Sequence, residues 1–226
     1  MGYPDHSRLV TAATQLGLQR SLVLWDDSTR PMDWTVDGTG ADPVVAASTD
    51  FGFIGPKSLK LSSRSTLPAT NDIASAKIAL QYPFKDRLFV GCRVLSPDVS
   101  TLKLVGLLCR IRNGAQLYEA KVYHSHQTAT YSWIDVNDLA VTIDAAAGSI
   151  VDKTWIFLGM ELDLALFEYA KVFTGGVTVD LTGQKLFKPS TATGRFIEIE
   201  VDLLVAGNQQ SHAYFDTIYC GDCECV

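Results

Sequence analysis

The chain has 226 residues, 47% of them hydrophobic and 19% charged, with 19 Lys and Arg set against 25 Asp and Glu for a net charge of -6. That balance supports a substantial core and excludes global disorder, and an acidic chain with no Lys/Arg run disfavours a nucleic-acid partner. No apolar run reaches the roughly 18 residues of a membrane helix, so no membrane partner is expected.

The first residues, MGYPDHSRLVTAATQLGLQR, show no strong period and lack the basic-then-apolar layout of a secretory signal. Residues 1–20 read as an extended arm that orders against another surface, with Tyr3, Pro4, Leu9, Leu16 and Leu18 as its anchors. Residues 21–226 read as one domain, because no internal repeat or low-complexity linker divides them and β domains of this size are common.

Leu22–Trp25 is the first expected strand, followed by loop residues Asp26, Asp27, Pro31 and Asp33. Ala41–Ser48, Ser58–Ser62 and Ala74–Tyr82 follow as strands, then the strongly apolar Arg87–Leu95 and Lys103–Arg112 with a Ser-Pro-Asp turn between them. Asn113-Gly114 suits a type I′ turn, whose central residues need positive φ, and joins Lys103–Arg112 to Leu117–His124. Thr130–Ile134 and Leu139–Ile143 come next, with Ala145–Gly148 as a turn or short helix. From Thr154 to Asp180 apolar and polar residues alternate around a Gly175-Gly176 turn, and the pattern returns at Arg195–Leu204 and Ala213–Cys220. A period of 2 sustained over ten to thirteen strands, with almost no amphipathic helix, predicts an all-β, two-sheet antiparallel jelly-roll sandwich.

The segments FGFIGPKSLKLSS, DRLFVGCRV, DKTWIFLGMELD and AYFDTIYCGD together resemble jelly-roll modules of the concanavalin-like and carbohydrate-binding type. The resemblance spans about Leu22 to Asp222 and speaks to fold more than to function. It implies a structural calcium between the first strand and an Asp of the last, which here would draw on Asp26, Asp27 and Asp216; Asp residues at strand ends also cap turns. Glycoside hydrolases on such sandwiches pair carboxylates on one strand face, which brings in Glu161 and Asp163, and Glu198, Glu200 and Asp202. A solvated outer face explains the same alternation and is preferred.

Five cysteines, an odd number, argue against a full disulfide framework. Cys92 and Cys109 read as small buried hydrophobes. Cys220, Cys223 and Cys225 offer three thiolates for a metal, or thiol chemistry at a chain end. Sugar binding needs exposed rings; Trp34 and Trp133 flank polar loops and are the glycan-contact candidates, whereas Trp155 is expected to be buried. His124 and His126 lie on one strand face and could share a metal or a proton, or simply line a polar surface.

No G-x-S-x-G, H-E-x-x-H, phosphate loop or dinucleotide fingerprint occurs, so the chain is expected to be non-enzymatic and without a cofactor other than calcium. The leading expectation is a self-assembling building block of a virion, such as a capsid decoration protein, with a homo-oligomer or other structural proteins as partners. The alternative is a lectin-like module that binds glycans, working outside the cell.

Overall fold

A computed structural model describes residues 22–26, 34–38, 43–53, 56–63, 71–81, 86–143, 152–207 and 209–222; of residues 22–26 and 222 it describes the backbone alone. The arm anchors Tyr3, Pro4, Leu9, Leu16 and Leu18, together with Asp27, Cys223 and Cys225, lie outside the described residues.

Sixteen strands are present among the described residues: β1 Leu22–Asp26, β2 Thr35–Gly38, β3 Val44–Ser48, β4 Ser58–Ser62, β5 Ile73–Gln81, β6 Arg87–Leu95, β7 Leu102–Asn113, β8 Gln116–Ser125, β9 Thr130–Ile134, β10 Ala140–Thr142, β11 Trp155–Asp163, β12 Glu168–Thr174, β13 Val177–Lys185, β14 Phe187–Thr191, β15 Arg195–Val205 and β16 His212–Asp222. A single 3-10 turn at Val99–Thr101, capped by the Asp98 carboxylate, is the one helical element among them. The strands form two antiparallel sheets. The first runs β13-β12-β11-β6-β16-β4-β3, with β1 also paired to β16; the second runs β10-β9-β8-β7-β15-β5-β2, with β14 also paired to β8. The expected jelly-roll sandwich is therefore the observed architecture.

Alternation explains the two layers. Val105, Leu107, Cys109 and Ile111 of β7 and Ile197, Ile199, Val201 and Leu203 of β15 face Leu88, Val90, Cys92 and Val94 of β6 and Leu158, Met160 and Leu162 of β11 in one core. Each such aliphatic side chain contributes about 1.5–3 kcal/mol by leaving water. Cys92 and Cys109 are wholly buried there, and burial pushes both thiols above their ordinary range, which keeps them inert.

Tyr169 of β12 ties the layers together: its hydroxyl accepts the backbone N–H of Lys121 on β8 at 2.9 Å, and its ring meets Trp133 edge-on at 5.0 Å. Tyr169→Phe should leave that N–H unpaired and cost about 1–2 kcal/mol in a denaturant titration; no loss would mean that water replaces the hydroxyl.

Three local readings are corrected. The hairpin after β7 is not centred on Asn113-Gly114: Asn113 is the last residue of β7 and Gly114 and Ala115 form the loop. Only Gly114 takes positive φ (100°), while Asn113 Oδ1 accepts the N–H groups of Ala115 and Gln116. The Asn side chain is used to hold the turn, which frees its backbone to stay extended. Second, the alternating run from Thr154 is broken at residues 164–167 by a turn in which Asp163 Oδ1 accepts from Ala165 and Leu166. Third, β2 and β14 were not anticipated. β2 has four residues and ends in Gly38, and β14 carries Pro189, which it accommodates by pairing only with β8 across a register shift.

Candidate functional site

The outward face of the second sheet is where the sequence reading and the structure diverge most. The side chains of Glu198, Glu200 and Asp202 do point away from Ile197, Ile199 and Val201, as alternation requires, but they are not solvated. Cross-strand register sets Arg110 between Glu119 on β8 and Glu198 on β15. Its Nε donates to Glu119 at 2.8 Å, and its Nη1 to Glu198 at 2.8 Å and to Glu200. The Arg110 side chain is 22% exposed and that of Glu200 10%. Burial alone would pull the guanidinium pKa down, but Glu200, with Glu119 and Glu198, outweighs it and holds the charge firmly above its ordinary value.

One turn of the pleat away, Lys121 Nζ bonds Asp202 Oδ2. Burial works against the lysine charge, yet Asp202 raises its pKa overall. Register places these groups beside a row that crosses six strands: Ser132 on β9, Tyr123 on β8, Gly106 on β7, Asp202 on β15, Ser75 on β5 and Asp37 on β2. Five inter-strand steps make the row about 24 Å long. At Gly106 the place of a side chain is taken by its neighbours: a Cβ would collide with Asp202 Oδ1 and lie 3.1 Å from Lys121 Cε. That Oδ1 is buried and has no hydrogen-bond partner. Lys121 Nζ stands 5.9 Å from the Tyr123 ring centre, and Lys77 holds Asp37 at 2.9 Å at the far end. A buried acceptor held by a fixed cation beside an aromatic ring is chemistry suited to reading hydroxyl groups.

The two tryptophans chosen as exposed rings are not exposed. Trp133 is 5% exposed, because position 133 falls on the core face of β9, and Trp34 packs against the core. Trp133 instead helps line a cleft of about 550 Å³ at the open edge of the sandwich, with Asp135, Val141, Val179, Leu181 and Gln184. Trp155 lies half-buried on the outward face of the first sheet with Phe157, edge-on to Phe53 at 5.8 Å, rather than in the core. Glu161 is on that same outward face, paired to Arg87 at 2.9 Å, and Asp163 organises the turn after β11; neither joins the second-sheet row.

Asp216 is fully buried at a bulge in β16, where its oxygens accept the N–H groups of Phe53 at 2.7 Å and Thr217. The backbone of Asp26 pairs opposite Ile218, two residues on. The register thus brings the two ends of the expected calcium pair together, but Asp216 already serves as an organiser of backbone N–H groups. No group of three or more His, Cys, Asp and Glu placed to hold a metal ion occurs among the described residues. Cys220 is buried on the core side of β16.

His124 and His126 have ring centres 4.9 Å apart, but His124 is fully buried on the core face of β8 and His126, in the turn that follows, is half-buried, so the pair does not line a polar surface. His124 is 0% exposed and both of its ring nitrogens lack a partner; His126 shares a 3.0 Å hydrogen bond with Ser96 Oγ. Burial drives His124 down to about 3 and His126 down to about 4, so both are neutral near pH 7.

No family model matches the chain, and no curated protein resembles it in sequence. Solved structures resemble its fold. An endo-β-1,4-glucuronan lyase from the fungus Trichoderma reesei is 11% identical with a TM-score of 0.58, over 89% of this chain and 96% of that one. Lectin II from Ulex europaeus is 10% identical with a TM-score of 0.52, over 90% and 99%. A carbohydrate esterase from the Shiga toxin-encoding bacteriophage phi24B is 12% identical with a TM-score of 0.52, over 83% and 89%. At these identities the likeness concerns the fold. It nevertheless corrects the expectation of a non-enzymatic chain: two proteins named for a reaction on carbohydrates share this architecture, so the lack of a linear catalytic motif does not exclude catalysis.

Proposed function

We propose that the protein binds a carbohydrate along the row Ser132, Tyr123, Gly106, Asp202, Ser75 and Asp37 on the outward face of the second sheet. The observation that carries this reading is the buried, unpartnered Oδ1 of Asp202, fixed by Lys121 beside Tyr123 and above a glycine. Fixed acceptors bind hydroxyl groups without first paying to be ordered. The Tyr123 ring supplies an apolar plane for a sugar face. The length of the row suits an oligosaccharide better than a single sugar.

The neighbouring folds favour this reading over the coat building block, because the lectin, the lyase and the esterase are all named for carbohydrates or for lectin activity. The arm on which assembly would depend lies outside the described residues. Titration of the purified protein with a panel of oligosaccharides should find a binder, and Tyr123→Ala should weaken it about tenfold, the loss expected for one ring contact. Following the same mixtures for new reducing ends or unsaturated products would reveal turnover. Binding that is indifferent to both Tyr123→Ala and Gly106→Ala would place the ligand elsewhere and overturn the proposal.

A further inference from the structure

Resting on the carbohydrate-binding reading, we infer that this row selects uncharged, hydroxyl-rich sugars and rejects sugars that carry a carboxylate. Asp202 Oδ1 is the buried acceptor that a bound sugar must satisfy. An ionised carboxylate only accepts hydrogen bonds, so the group that completes it must be a donor, a hydroxyl or an amide N–H. A uronate carboxylate brings a second acceptor and a second negative charge to the same place.

The surrounding charges reinforce the choice. Lys121 is committed to Asp202 and Lys77 to Asp37, while Glu200 stands one pleat from the row with Arg110 shared among three carboxylates. Counting this face, Arg110, Arg112, Lys121 and Lys77 meet Glu119, Glu198, Glu200, Asp202 and Asp37, four positive groups against five negative. Arg112 has no carboxylate in this network; its guanidinium lies 4.9 Å from the Phe196 ring centre and its Nε has no hydrogen-bond partner. It stands six residues along β7 from Gly106, about 20 Å away, too far to neutralise an acid group held at Asp202. The missing side chain of Gly106 is what lets the Asp202 carboxylate lie over β7, with the Lys121 stem beside it, so a hydroxyl reaches Oδ1 only if that flexible stem moves aside.

The test uses the full chain and matched pairs of oligosaccharides that differ only at C6: cellohexaose against hexameric β-1,4-glucuronan, and β-1,4-mannohexaose against hexameric β-1,4-mannuronan. The neutral member of the pair that binds should bind at least about tenfold more tightly than its acidic twin. Asp202→Asn should shrink that ratio to about threefold or less, and 1 M salt should shrink it in the unmodified protein, since like-charge repulsion is screened. The salt series needs no variant, so a poorly folded Asp202→Asn protein leaves the inference exposed to test. Tighter binding of the acidic member, abolished by Gly106→Ala, would overturn the inference and leave the carbohydrate reading standing. Binding of neither member of any pair, or binding unchanged by both Tyr123→Ala and Gly106→Ala, would overturn both.

Discussion

Arg110→Met should cost about 3 kcal/mol of folding stability at pH 7, read from denaturant midpoints, because it strands three carboxylates that share one guanidinium. The figure is taken at the lower end of the range for a broken buried pair, since the Arg110 side chain retains 22% exposure. One further result follows from the same cause. Adding Glu198→Gln and Glu200→Gln to Arg110→Met should recover most of the loss, since an apolar or neutral replacement of a whole network is far milder than removing one member. A loss below about 0.5 kcal/mol would show that the network is solvated like an ordinary surface, as the alternating pattern alone had suggested.

Acid should be the protein's main vulnerability. His124 and His126 are neutral in the fold with pKa values depressed to about 3 and about 4 from an ordinary 6.5. Below pH 6.5 the unfolded chain binds protons that the folded chain refuses, so stability is full above that pH and falls as pH drops toward the folded values. Each group loses about 1.4 kcal/mol per pH unit, so two units below 6.5 cost at most about 5 kcal/mol for the pair. His124→Leu should roughly halve the slope of stability against pH between 6 and 4.5, and it removes two buried, unpartnered ring nitrogens as well. An unchanged slope in the variant would show that His124 is not the source of the acid sensitivity.

The same alternation that made the sandwich legible concealed its site. Ser58–Ser62, Arg87–Leu95 and Thr130–Ile134 were readable to their end residues because one face of each is apolar and turn residues bound them. The period also assigned Glu198, Glu200 and Asp202 to one outward face. It could not supply their partners, because Arg110 and Lys121 come from strands 81 to 90 residues away and meet them only through the register of β7, β8 and β15. Gly106, inside the apolar run KLVGLLCRIR, gave the one local signal: a glycine within a strand marks a close approach, here by an aspartate carboxylate. Trp133 was misplaced for a related reason. Polar neighbours suggested exposure, but strand parity points it inward, opposite Val122. Parity was a better guide than the chemistry of adjacent residues.

Amide and side-chain chemical-shift mapping of the full chain, titrated with the oligosaccharide that binds best, tests the central claim most directly. The account predicts the largest shifts at Gly106, Tyr123, Ser132, Ser75 and Asp202, with Glu161 and Trp155 on the opposite sheet undisturbed. Shifts centred on Trp133, Val141 and Gln184, or on the outward face of the first sheet, would contradict it.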